Sequence, residues 1–237
     1  MAETSDSKSA FVTGATGLVG KALVAELCRQ GWATVAHVRP DSRDLVRWHG
    51  LFEGMGAQLS TAAWQPDDMR SELAQRHPTH VFCCIGTTRT RMGRDGAAAN
   101  SYEAVDYALP KLLAKACVAT PSVERLVYLS SAGVAEHAAG AYLRWRWKAE
   151  QAVVTSGVAY TLARPSVILG PRDEARPLET WAGAVIDGGL GLVGVLGGGK
   201  LRDRYRSTND VTLAKALVRL AADPEARNRT VESEGLR

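Results

Sequence analysis

The sequence predicts an α/β fold built on a doubly wound parallel sheet, and three observations predict it. Short apolar runs alternate with longer segments of helical periodicity along most of the 237 residues. Such alternation places parallel strands in one sheet with helices on both faces. The first apolar run breaks into Gly14-Ala-Thr-Gly17-Leu-Val-Gly20, a glycine turn with a strand before it and a helix after it. Later strands end in small or hydroxylated residues, at the sheet edge where ligands bind in folds of this kind.

Taken in order, Ala10–Thr13 reads as the first strand. Gly17–Gln30 reads as a helix, with Val19, Leu23 and Leu27 four apart and Gly31 as its C-terminal cap. The second strand, Ala33–Val38, precedes a helix over Asp41–Leu51. The third, Ala57–Trp64, precedes a helix over Asp67–Gln75 that opens on acidic residues, as the helix dipole favours. Val81–Ile85 is the fourth strand, in which Cys83 and Cys84 point to opposite faces. A long helix follows over Ala98–Ala119, with Pro110 as an irregularity. Arg125–Ser130 is the fifth strand, Tyr142–Ser156 a helix, and Ala159–Ala163 the sixth strand. Beyond Pro165 the pattern loosens through Pro171, Pro177 and the glycines of Gly188–Gly199, and a last helix spans Asp210–Ala222. The chain thus divides into a flexible N-terminus, residues 1–9, and a single Rossmann-type domain, residues 10–237, whose loop-rich region at about 165–208 covers the substrate.

Composition narrows the function classes. Hydrophobic residues at 46% and charged residues at 23% describe a globular chain with a full core. A net charge of +4 and a pI near 9.0 suit an anionic cofactor but are too slight for nucleic acid. Arg144-Trp-Arg-Trp-Lys148 does interleave cations with aromatics, yet no basic stripe elsewhere extends it. No apolar stretch reaches membrane-spanning length, so neither nucleic acid nor membrane is expected as a partner. The four cysteines lack metal-ligand spacing and the five histidines are dispersed, so no metal site is expected. Reduced thiols and a polar Met1–Ser9 segment place the protein in the cytoplasm.

The glycine turn points to a nucleotide diphosphate. Gly14 lets the chain turn tightly, Gly17 lets backbone approach a phosphate, and Gly20 lets helix pack on strand. The helix start, with backbone from Thr16, Leu18 and Val19, offers free N–H groups and a positive dipole end. The glycines are spaced three and three rather than two and three. Arg39, just past the second strand, suits the 2′-phosphate of NADP, the plain alternative being a solvated arginine. Gly86 and Thr87 end the fourth strand and would let backbone pass close to a cofactor. Ser130 and Ser131 place hydroxyls at the end of the fifth strand, where one can bind a substrate oxygen.

Tyr142 and Lys148 form a candidate proton-transfer pair, since an ammonium lowers a phenol's pKa. They are six residues apart, so one unbroken helix sets them about 120° out of phase. Around them Trp145 and Trp147 read as packing residues, and Arg144, Arg146 and Lys148 as a solvated basic face. Gly194-Val-Leu-Gly-Gly-Gly-Lys200 approaches a triphosphate-binding loop, but Leu201 replaces the hydroxyl residue that would hold magnesium.

These residues together resemble the atypical short-chain dehydrogenase/reductases of the NmrA-like branch, nearest the Tat-interacting-protein-like oxidoreductases. The resemblance runs from Phe11 to about Val231 through the glycine turn, Phe82–Arg89, Val105-Asp-Tyr107, Leu129–Gly133, Lys148-Ala-Glu150, Tyr160–Pro165, Gly170–Pro177 and Asn209-Asp-Val211. It implies a Rossmann-type domain, NADP(H) as cofactor, and a Ser/Tyr/Lys set in active members. On this sequence Ser131 matches the serine and Lys148 the lysine that holds the nicotinamide ribose, while Arg164 and Pro165 fall in the cofactor site. The position four before Lys148 is Arg144, so Tyr142 is a displaced candidate for the tyrosine. Asp106 stands where many members have asparagine, and Ala63-Trp64 replaces an acidic residue near adenine.

Two functions follow. One is an NADP(H)-dependent oxidoreductase exchanging hydride with a small carbonyl or alcohol substrate, with Ser131, Tyr142 and Lys148 as catalytic residues. The other is a non-catalytic NADP(H)-binding redox sensor or regulator. The helices after the fourth and fifth strands offer faces on which a homodimer could form.

Overall fold

A computed structural model describes residues 8–86, 101–169 and 208–237. Met1–Ser7, Thr87, the start of the helix expected at Ala98, most of the 165–208 region and the Gly194–Lys200 run lie outside the described residues.

Seven parallel strands form the sheet, in the order β3-β2-β1-β4-β5-β6-β9. They are β1 (Ser9–Thr13), β2 (Ala33–His37), β3 (Gln58–Ser60), β4 (His80–Cys83), β5 (Arg125–Leu129), β6 (Tyr160–Arg164) and β9 (Arg229–Glu232). A separate two-stranded ladder joins β7 (Ile168–Leu169) to β8 (Thr208–Asn209). The helices are α1 (Leu18–Arg29), α2 (Leu45–Gly54), α3 (Pro66–Arg76), α4 (Leu109–Val118), α5 (Ala141–Val154) and α6 (Asp210–Ala222). The chain reverses direction across the sheet between β1 and β4, so the ligand crevice of a doubly wound fold opens there.

Strand alternation divides the core into two layers. Val12, Phe82, Val127 and Ala163 meet Leu23 and Leu27 of α1 and Leu213 and Leu217 of α6. Phe11, Val81, Leu126 and Tyr128 meet Met69 and Leu73 of α3, Leu113 of α4 and Val153 of α5. Cys83 and Cys84 do face opposite layers. All four cysteines are free thiols.

Three elements depart from expectation. The third strand is only Gln58–Ser60, because the chain beyond it turns toward β2. The single long helix after β4 is two helices: a π-helix over Tyr102–Ala108, then α4, with Pro110 at the first turn of the latter. Proline fits a first turn, where its missing N–H is no loss. The strand Arg229–Glu232 was not expected; it extends the sheet beside β6, pairing Thr161 with Arg229 and Arg164 with Glu232.

Candidate functional site

The glycine turn is built as its sequence demands. Gly14 has φ of +73°, and a Cβ there would stand 2.5 Å from the Cys84 carbonyl oxygen, so the turn is pressed against the end of β4. A Cβ on Gly20 would run into the Gly14 carbonyl. The Gly17 amide donates to Gly14 O at 3.0 Å and closes the turn. Gly17 then caps α1 with no side-chain hydrogen bond and no acidic residue in the first turn. Backbone N–H groups and a positive helix end therefore face the crevice without a competing anion. Thr16 and Leu18 are half-buried, while Val19 is buried in the core and contributes backbone only. The cradle fits a dinucleotide pyrophosphate.

Arg39 follows β2 and is exposed, with its Nε 3.6 Å from Asp41 Oδ1. An exposed pair at that distance leaves the guanidinium available to a stronger anion. Behind it His37 is buried, donates from Nε2 to Ala62 O at 2.9 Å and meets Trp64 edge-on at 5.1 Å. Burial holds its pKa below the ordinary histidine value, so the ring is neutral.

The catalytic candidates are arranged differently from expectation. Tyr142 lies in the first turn of α5, its ring 5.4 Å from that of Tyr102 on the π-helix. The residue one turn on, on the same face, is Arg146, whose guanidinium sits 5.4 Å from the Tyr142 ring. Lys148 is exposed and packs its Nζ over Trp145 at 4.0 Å. Since α5 is unbroken over 141–154, the helix does not bring Lys148 to Tyr142. Arg146 also corrects the solvated basic face: it is buried, and only Arg144 and Lys148 of that trio are exposed.

Arg146 ties the site together. It donates from Nη1 to Leu129 O at 2.7 Å and to Tyr128 Oη at 3.0 Å, and from Nη2 to Ile85 O at 3.0 Å. Its Nε pairs with Asp106 Oδ1 at 3.2 Å. The π-helix and α5 thus meet along three rungs: Tyr102 with Tyr142, Asp106 with Arg146, and Tyr107 with Trp145. Gly86 is glycine for this reason as well, since a Cβ there would lie 2.5 Å from Arg146 Nη2. The spacing of four from Tyr142 to Arg146 was the available signal in the sequence.

The hydroxyl of Ser131 is half-buried and donates to Ala132 O at 3.3 Å, a weak local bond that a substrate oxygen can replace. Ser130 is buried and its Oγ has no hydrogen-bond partner among the described residues. Arg164, which the resemblance sets in the cofactor site, is paired with two carboxylates. It forks onto Glu150 at 2.9 and 2.6 Å and reaches Glu232 at 3.1 Å, joining β6, α5 and β9. Pro165 is buried and accepts from the Ala132 amide at 2.8 Å, holding the Ser131 loop to the end of β6. A cavity of about 440 Å³ borders Arg144, Trp145, Trp147 and Lys148, on the outer side of α5 from Arg146.

A doubly wound sheet with an open glycine cradle at its switch point defines a dinucleotide-binding protein. The chain belongs to the family described as NAD(P)H-binding, whose model matches residues 14–181. Protein fmp52, mitochondrial, of Aspergillus niger is 32% identical over 218 residues, covering 86% of this chain and 83% of that protein. Protein TIC 62, chloroplastic, of Oryza sativa subsp. japonica is 26% identical over 206 residues, covering 79% of this chain and 41% of that one. A solved structure of AtPrR2 with NADP+ and (+)pinoresinol superposes with a TM-score of 0.67 at 15% identity, over 95% of this chain and 69% of that one, and shares the fold. The cytoplasmic expectation is overturned, since relatives matched here carry mitochondrial or chloroplastic names. Among the described residues no helix is long and apolar enough to cross a membrane.

Proposed function

We propose that this NAD(P)H-binding protein is an NADP(H)-dependent reductase or dehydrogenase of the atypical short-chain class, acting on a small carbonyl or alcohol. The observation that carries the reading is Tyr142, stacked against a buried arginine at the ends of β4 and β5, on the same sheet edge as the open glycine cradle. A bound nicotinamide supplies hydride exchange with a carbonyl carbon. The turn from Gly14 to Gly20 holds the pyrophosphate on backbone amides, and Arg39 binds the 2′-phosphate that distinguishes NADP from NAD. Gly86 lets the chain approach the nicotinamide end. Ser131 donates to the substrate oxygen and Tyr142 exchanges a proton with it. Lys148, turned to the outer face, takes no part.

One observation favours the sensor reading: beside Tyr142 stands an arginine, which does not give up its proton, in place of a titratable amine. Binding of NADPH and NADH, followed by fluorescence and thermal shift with Arg39→Ala alongside, tests the cofactor assignment. NADPH oxidation across a panel of small aldehydes and ketones, with Tyr142→Phe as control, then separates the two readings. Turnover that Tyr142→Phe removes supports the enzyme. Tight binding with no turnover on any member of the panel supports the sensor, and binding of neither cofactor overturns both.

A further inference from the structure

The fourfold anchoring of Arg146 has a chemical consequence for Tyr142, which rests on the reductase reading above. A cation one turn from a phenol ordinarily makes it more acidic. Here that cation carries its own counter-ion: Asp106, buried on the π-helix, lies 3.2 Å from Arg146 Nε. The guanidinium also donates to Leu129 O, Ile85 O and Tyr128 Oη, so it is shared between the strand ends and the two phenols it faces. Among the described residues, the groups facing Tyr142 are Arg146 on its own helix and Tyr102 and Asp106 on the π-helix, with Tyr128 of β5 beyond the guanidinium. One positive and one negative charge in this set leave the phenol in balanced surroundings.

We propose that Asp106 and Arg146 form a charge-balanced positioning pair that orders Tyr142 as a proton donor to a carbonyl, rather than as a base toward an alcohol. In the step this implies, the carbonyl oxygen takes the phenol proton while the carbonyl carbon would receive the hydride that a bound reduced nicotinamide would supply. The products are an alcohol, an oxidised nicotinamide and a tyrosinate. The tyrosinate regains its proton from solvent, because Arg146 has none to release. Burial, which pushes the Tyr142 phenol above its ordinary range against the pull of Arg146 and with the help of Asp106, agrees with this arrangement.

The test reads the phenol itself and needs neither substrate nor cofactor. Tyrosine labelled with 13C at Cζ gives one resonance per ring for the six tyrosines, and Tyr142→Phe assigns the one that matters. In the unmodified protein the Tyr142 resonance is expected to stay at its protonated position beyond the pH where a free phenol titrates. Asp106→Asn leaves the guanidinium uncompensated and is expected to move that titration to lower pH. Asp106→Asn combined with Arg146→Gln removes both charges and is expected to move it back up. A Tyr142 resonance that titrates below the free phenol in the unmodified protein overturns the proposal, and this measurement stands even if neither variant folds. Equal titrations in the unmodified protein and a folded Asp106→Asn also overturn it. Because no turnover is involved, a protein that reduces nothing could still pass, so failure of the reductase reading is seen separately in the carbonyl panel.

Discussion

The two ends of the ligand crevice are made in opposite ways. At β1 and α1 the site is backbone: three glycines, a closed turn and a helix start with no side-chain cap. At β4, β5 and β6 it is paired charge: Asp106 with Arg146, both buried, and half-buried Arg164 with Glu150 and Glu232. The difference teaches where each end is vulnerable. A backbone cradle fails when a Cβ is added, whereas a buried ion pair fails when one partner is removed and the other is left charged without compensation.

The largest effect is expected from Arg146→Met, which takes the buried counter-ion from Asp106 and the donor from three acceptors. Chemical denaturation should show a loss of about 3–5 kcal/mol, and a loss under about 1 kcal/mol would mean the β4–β5 end is not held by charge. Gly14→Ala is the counterpart at the glycine turn. Its positive φ and the nearby Cys84 carbonyl predict a loss of about 2–5 kcal/mol together with loss of cofactor binding, measured by denaturation and NADPH fluorescence.

His80 supplies a pH test away from both ends. Burial holds its pKa at about 4, against about 6.5 when unfolded, so the unfolded chain binds the extra proton first. Stability is therefore full above about pH 6.5 and falls as pH drops toward 4, by up to about 3 kcal/mol. Denaturation midpoints across that window check it, and His80→Gln should flatten the slope. The smallest effect on folding is expected from Arg39→Ala, which is exposed. It should leave Tm unchanged and weaken NADPH about tenfold while sparing NADH, roughly the contribution of one charge-assisted contact.

The same contrast decides what could be read beforehand. Backbone requirements are local, so the glycine turn, the strand alternation and the helix Asp210–Ala222 were legible from a few adjacent residues. Arg146 was placed on a solvated face because its neighbours Arg144 and Lys148 are exposed, and its four partners lie 17 to 61 positions away in sequence or on the π-helix. The ion pairs of Arg164 were out of reach for the same reason, since Glu232 sits on β9. That strand, Arg-Thr-Val-Glu, has no apolar run to announce it. The π-helix was hidden because its residues also suit an α-helix; only packing against α5 selects the wider turn.

That wider turn has a bearing on how the chain can change over generations. Deleting one residue between Tyr102 and Asp106 would let the stretch relax into an ordinary α-helix, which is locally the easier state. It would also swing everything before the deletion by about 100° around the helix axis, taking Tyr102 away from Tyr142 while Asp106 stayed in place. A shortened descendant could keep its sheet and its glycine cradle and still have a dismantled centre. The wider turn thus acts as a ratchet: easy to lose as far as folding is concerned, and costly to lose as far as the site is concerned.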